Sequence, residues 1–191
     1  MAIINLTENG INSTIEKEIS LCKSNSGICG KELRNAHMQL GKNIGIQIST
    51  NNAQANRIAV IVMMRAGLSF ALGIADELEN NEKSVNIIFS TEEKTLPNDF
   101  DPALYNLIII VNAVIRTGKR LISLADSIDN KQIIFATNVL DETGISNFNK
   151  RTVYTVRISQ NSFIGSNQKT VLNGRGPDTG DRLFNSNFTE R

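Results

Sequence analysis

Cysteine, histidine and proline are all scarce, and each scarcity closes off a class of chemistry. Of the 191 residues, two are cysteine, one is histidine and three are proline. Cys22 and Cys29 have no second cysteine pair to complete a ligand set, so a zinc site is unsupported and reduced, structural thiols are expected. The lone His37 falls on a helical seam, where a packed or half-exposed residue is expected rather than a catalytic base. An excess of one charge is missing too. Twenty Lys and Arg oppose 19 Asp and Glu, a net charge of +1. That removes any global pull toward nucleic acid or an anionic membrane and leaves phosphate chemistry to local basic groups. No apolar run approaches the length of a membrane span. Met1-Ala2-Ile3-Ile4-Asn5 lacks the basic start and long apolar core of a signal peptide, so a cytoplasmic location is expected.

What is present is a 40% apolar fraction, enough for one domain, residues 1–191, with a sizeable core. Ser13 or Asn12 can cap a short helix running to Ile19. From Gly30, residues Leu33, Ala36, Leu40, Ile44 and Ile48 recur at helical spacing. Buried strands are predicted over Arg57–Met64 and from Leu107 to the polar turn at Arg116, and further strands over Ser84–Phe89, Gln132–Thr137 and Thr152–Ile158. Helices are predicted over Ser69–Leu78, after Gly118 with Leu121, Leu124, Ala125 and Ile128 on one face, and over Asp141–Phe148. Ser90 to Pro102 is polar, aperiodic and carries two prolines, which suits a flap or a β-excursion. Strands alternating with helices at short spacing predict an α/β fold with a parallel central sheet flanked by helices.

Ligands of such sheets sit at the carboxyl ends of the strands, and two basic turns fall there. Arg65-Ala66-Gly67 could bind an anion, although alone it reads better as a strand-end charge reaching solvent. Arg116-Thr117-Gly118-Lys119-Arg120 is the stronger signal, because a Thr, a Gly and a helix start coincide. The tail Gly176-Pro177-Asp178-Thr179-Gly180-Asp181-Arg182 sets two carboxylates and an Arg among glycines. It suits main-chain recognition of a polar ring, or else a solvated turn.

These segments, in this order, resemble a uracil phosphoribosyltransferase. Gly30-Lys31-Glu32-Leu33-Arg34 with Leu40-Gly41 resembles the family's N-terminal helix, and Met64-Arg65-Ala66-Gly67-Leu68 its diphosphate-contacting turn. Glu92-Glu93-Lys94-Thr95-Leu96 resembles the flap, and Asn112 to Arg120 occupies the place of the donor loop. Gly174-Arg175-Gly176 with Asp178-Thr179-Gly180-Asp181-Arg182-Leu183-Phe184 resembles the C-terminal uracil-binding hood. The resemblance implies a type I phosphoribosyltransferase fold with a flap and a C-terminal hood. It implies reaction of uracil, or a close pyrimidine, with phosphoribosyl diphosphate to give UMP and diphosphate. Mg²⁺ carried with the donor and a homodimer are implied as well. By the same resemblance Arg65 lies near the diphosphate. Asn112, Ala113, Val114, Ile115, Arg116, Thr117, Gly118, Lys119 and Arg120 hold the donor, with the 5′-phosphate on backbone N–H groups. Val171, Gly176, Asp178 and Thr179 hold the base, and Asp178 also faces the ribosyl group. Asp178 and Asn112 are the catalytic candidates. Positioning and electrostatics would carry catalysis, with no covalent intermediate.

Several positions depart from the family pattern. Asn112-Ala113 stands where the family's loop begins with an acid, so the site loses a negative charge beside the ribose hydroxyls. Arg116, Lys119 and Arg120 replace small residues, Ser90-Thr91 replaces a flap Arg, and Pro177 interrupts the base segment. Three readings follow. One is a divergent transferase whose loop cations compensate. Another is a catalytically impaired relative that binds a nucleotide or nucleobase in a regulatory or structural role. A third is a changed base or acceptor, since Pro177 sits in the base segment.

Overall fold

The β-branched runs pair into one six-stranded sheet, and every adjacent pair in it is parallel. The computed structural model describes residues 2–10, 13–90, 96–129, 132–160 and 178–186. The strands are β1 (Ala2–Asn5), β2 (Arg57–Met63), β3 (Ser84–Ser90), β4 (Leu107–Ile115), β5 (Ile133–Asp141) and β6 (Thr152–Ser159). They lie in the order β1-β6-β5-β4-β2-β3. The helices are α1 (Ser13–Cys22), α2 (Gly30–Asn51), α3 (Leu68–Asn80), α4 (Lys119–Asp126) and α5 (Thr179–Phe184). Asn12, the alternative cap for α1, lies outside the described residues.

β4 is central because both its faces are covered. Leu107, Ile109 and Val111 pack into a core with α1, α2 and α3, including Leu40, Ile44, Phe70 and Ile74. Ile108 and Ile110 pack on the opposite face with Leu121, Leu124 and Phe148. A strand buried on both sides has no polar face to alternate with, which is why the run is continuously apolar. Each such side chain, fully buried, contributes about 1.5–3 kcal/mol. Every residue of the predicted α2 seam, Leu33, Ala36, Leu40, Ile44 and Ile48, is buried.

The expected α/β class with a parallel, helix-flanked sheet is therefore observed, with local differences. β1 was not expected. It is four residues long and gains its backbone partners only from β6, with Asn5 opposite Thr155. The short helix expected after β5 is a 3-10 helix, Glu142–Phe148, capped by Asp141. Within the connection between β3 and β4, Phe100 and Tyr105 stack with ring centroids 5.7 Å apart. Residues 91–95, within the expected flap, and 161–177, with part of the expected hood, lie outside the described residues. Among the described residues no helix is long and apolar enough to cross a membrane.

Candidate active site

Because β2 and β4 are parallel neighbours, with Val62 opposite Val111, their carboxyl ends deliver both basic turns to the same edge of the sheet. The turn after β2 closes through Gly67 N–H to the Met63 carbonyl at 3.1 Å and Leu68 N–H to the Arg65 carbonyl at 3.2 Å. It lies directly against β4: a Cβ on Gly67 would sit 2.8 Å from the Val111 oxygen and 3.4 Å from Asn112 Cα. Arg65 and Asn112 thus belong to one region of the edge.

The candidate donor stretch is not a loop throughout. Asn112 pairs with Thr137, Val114 with Val139 and Ile115 with Leu140, so residues 112–115 continue β4. Val114 and Ile115 are β-branched and favour this extension. Ala113 and Ile115 are 0% and 1% exposed, which leaves Asn112 and Val114 as the half-buried members. Strict alternation breaks here, since Ile115 joins the same core as Ile108 and Ile110. The buried Thr137 hydroxyl lies at this break, 3.2 Å from the Ala113 carbonyl oxygen.

Only Arg116, Thr117 and Gly118 form the turn itself, and Lys119 and Arg120 open α4. Gly118 has φ +68°, a conformation glycine adopts without steric cost. The 3-10 helix after β5 buttresses this turn. A Cβ on Gly144 would fall 1.9 Å from the Arg116 oxygen, and Asn147 Nδ2 donates to the Thr117 carbonyl at 3.0 Å. The Phe148 ring packs against Gly118. Asp141 caps the 3-10 helix, its Oδ1 accepting from Thr143 N–H at 2.9 Å. Arg116, Thr117, Lys119 and Arg120 are exposed. Among the described residues the side chains of Arg116, Lys119 and Arg120 have no hydrogen-bond or ion-pair partner. They are free cations around a glycine turn at a helix start. An open depression of about 610 Å³ adjoins this turn, lined by Lys119, Ile122, Ser123, Asp126, Ser127 and Asn147.

The tail supplies the third component. Asp178 starts α5 through a capping box: its side chain accepts from Asp181 N–H at 2.7 Å, and the Asp181 side chain accepts from Asp178 N–H at 3.3 Å. Each carboxylate satisfies an otherwise orphaned backbone donor. Asp181 also holds Arg65, with Nη2 to Oδ1 at 2.9 Å. The next residue, Arg182, is 3% exposed and donates to the carbonyls of Lys23 and Ile28 at 3.1 and 3.0 Å. Arg34 Nη1 donates to the Leu183 carbonyl at 2.6 Å. Thr179 is half-buried in the first turn of α5. Of the expected site residues, Val171 and Gly176 lie outside the described residues, as do Gly174, Arg175 and Pro177.

The structure thus brings Arg65 together with Asp178 and, across the adjacent strand, with Asn112; the Thr117–Gly118 turn lies further along β4. Sequence reasoning gave no role to Asp181, Ser186, Thr137, Gly144 or Asn147. Asp181 stood inside a quoted motif, but only the fold shows what it touches. Two buried groups are held far from their ordinary ionisation. Burial, aided by the nearby Arg182 charge, lowers His37 to about 3. Burial raises Cys22 to about 12, against an opposing hydrogen bond from Asn138 and the Arg182 charge. A buried imidazole this reluctant to take a proton is a weak base, and a buried, protonated thiol is a poor nucleophile.

This edge carries an arginine turn on one strand, held by the acidic cap of α5, and a glycine turn opening a helix on the next. The family profile of uracil phosphoribosyltransferase matches residues 24–186, and the chain belongs to that family. Solved structures that resemble it at low identity include phosphoribosyltransferases. A hypoxanthine-guanine-xanthine phosphoribosyltransferase shares 11% identity over 65% of this chain and 77% of its own, with a TM-score of 0.45. The hypoxanthine-guanine phosphoribosyltransferase of Schistosoma mansoni, solved with IMP, shares 15% over 65% of each chain, with a TM-score of 0.44. The purine phosphoribosyltransferase of Pyrococcus horikoshii Ot3 shares 19% over 63% of this chain and 84% of its own, also at 0.44. No curated protein matches the chain.

Proposed function

We propose that this chain transfers the phosphoribosyl group of phosphoribosyl diphosphate to uracil or a close pyrimidine. The bond from the sugar's anomeric carbon to the diphosphate oxygen breaks, a bond to the base nitrogen forms, the base loses that nitrogen's proton, and UMP and diphosphate leave. The observation that carries the reading is the junction of Arg65 with Asp178 and Asp181 beside β4, one strand from the glycine turn. Backbone N–H groups of the Thr117–Gly118 turn would take the 5′-phosphate, aided by the free cations of Arg116, Lys119 and Arg120. Arg65 would face the diphosphate. Asp178 would face the ribosyl group and, with Thr179, Val171 and Gly176, the base. The donor would arrive as its Mg²⁺ complex, the metal belonging to the substrate. A cytoplasmic homodimer is part of the same proposal.

One residue favours a second reading, a nucleotide- or nucleobase-binding relative with impaired catalysis. Asn112 can hydrogen-bond ribose hydroxyls but brings no charge to stabilise a developing cationic sugar, and loss of one such group costs on the order of 100-fold in rate. The purified protein with uracil, phosphoribosyl diphosphate and Mg²⁺ is expected to form UMP, and Asn112→Asp is expected to raise turnover. No turnover with any pyrimidine, together with retained UMP binding, would decide for the second reading.

A further inference from the structure

Asp181 uses both oxygens of its carboxylate to join elements that are distant in the chain. Oδ1 accepts from Arg65 Nη2 at 2.9 Å and from Ser186 Oγ at 3.1 Å. Oδ2 accepts from the Asp178 backbone N–H at 3.3 Å. Ser186 Oγ accepts in turn from Arg65 Nη1, so the guanidinium is held on two nitrogens by two partners that also hold each other. Shielding is unequal across the pair. The Asp181 side chain is 12% exposed and that of Arg65 44%, so the anchor is enclosed and the cation keeps an open side. Gly180 marks where the two functional groups meet. A Cβ there would lie 3.2 Å from Asp178 Oδ1 and 3.7 Å from Arg65 Nε and Nη2.

An arginine side chain has many rotamers, and a guanidinium that must be ordered by its ligand binds that ligand less tightly than one ordered beforehand. An exposed arginine at a strand end would ordinarily sample many positions. Here it is fixed in advance by a carboxylate that also fixes the backbone of the catalytic candidate. We propose that Asp181 is a positioning residue that couples the diphosphate-facing guanidinium of Arg65 to the ribosyl-facing carboxylate of Asp178. The proposal rests on the transferase reading above. It assigns Asp181 a role beyond closing the cap of α5, and it makes the Arg65 turn and the tail one unit.

The test is calorimetric titration of inorganic diphosphate with Mg²⁺ into the full chain and into Asp181→Asn, Arg65→Ala and the double variant. Asparagine retains the cap acceptor but removes the charge. Asp181→Asn is expected to weaken diphosphate about tenfold, within the range measured for directly coupled pairs, and to add nothing in the Arg65→Ala background. Equal weakening in both backgrounds, or unchanged affinity in a folded Asp181→Asn, overturns the proposal while leaving the transferase reading intact. A wild-type chain that binds no diphosphate overturns the donor site and this proposal together. Should Asp181→Asn fail to fold, Ser186→Ala frees the other guanidinium nitrogen. A loss of about threefold, again absent without Arg65, is then expected, and unchanged affinity overturns the coupling.

Discussion

Arg182 Nη2 donates to the Ile28 carbonyl at 3.0 Å across 154 positions of the chain. The same nitrogen lies 3.1 Å from the Lys23 carbonyl and 3.2 Å from the Ser26 hydroxyl oxygen. A buried guanidinium is costly unless its donors are met, and here a single short segment meets them. The contact pins the connection between α1 and α2 to α5, and so holds the tail over the carboxyl edge of the sheet. Replacing Arg182 by Met keeps much of the volume and strips these acceptors of their donor. The expected loss is on the order of 3 kcal/mol in urea unfolding, since each buried polar group left unpaired costs about 1–3 kcal/mol. Lys should not restore it, because an ammonium cannot reproduce the planar fork. A loss below about 1 kcal/mol in Arg182→Met would show that the segment finds other partners.

Gly144 carries a second prediction, on binding. Its bare Cα lets the Arg116 carbonyl approach to where a methyl group would be 1.9 Å away. The obstacle is backbone, so Gly144→Ala must displace the turn that would hold the 5′-phosphate. Overpacking of this kind costs about 1–3 kcal/mol of stability. Ribose 5-phosphate affinity should fall about tenfold or more, the equivalent of 1.4 kcal/mol. Uracil affinity should change little, because the base is assigned to the tail. Equal losses for both ligands in a folded variant would place the phosphate elsewhere.

Much of this scaffold is legible before folding, and the reason differs by element. The β-branched run from Leu107 announces a doubly covered strand, and the seam from Leu33 to Ile48 announces α2, because both signals are local and periodic. β1 escapes notice because four residues carry no period of their own and depend on β6 for every ladder bond. The break of the Leu107 run at Arg116 is legible as well, and β4 does end at Ile115; only the donor stretch that the family resemblance starts at Asn112 begins inside the strand, where pairing to Thr137 and Leu140 holds it. At the site, the glycine turn and the Asp178 cap are readable as motifs. The link from Arg65 to Asp181 spans 116 positions and leaves no spacing signal at all. The same holds for Asn147 beneath Thr117, a surface asparagine with nothing in its neighbourhood to mark it.

His37 yields a prediction about acid. Its ring is 1% exposed on α2, its Nδ1 has no hydrogen-bond partner among the described residues, and burial lowers it to about 3 from an ordinary 6.5. Protons therefore bind the unfolded chain first. The stability that depends on a neutral imidazole is fully present above 6.5 and is lost progressively as pH falls from there toward 3. Over that window the one site should contribute a slope of about 1.4 kcal/mol per pH unit. Carboxylates that are paired in the native state add their own acid sensitivity lower down, so the informative quantity is a difference. His37→Leu cannot take up the proton in either state. Urea unfolding of both proteins at pH 4.5, 5.0, 5.5 and 6.0 should show the wild-type curve steeper by about one proton's worth. Parallel curves would mean that His37 reaches solvent or a partner when charged.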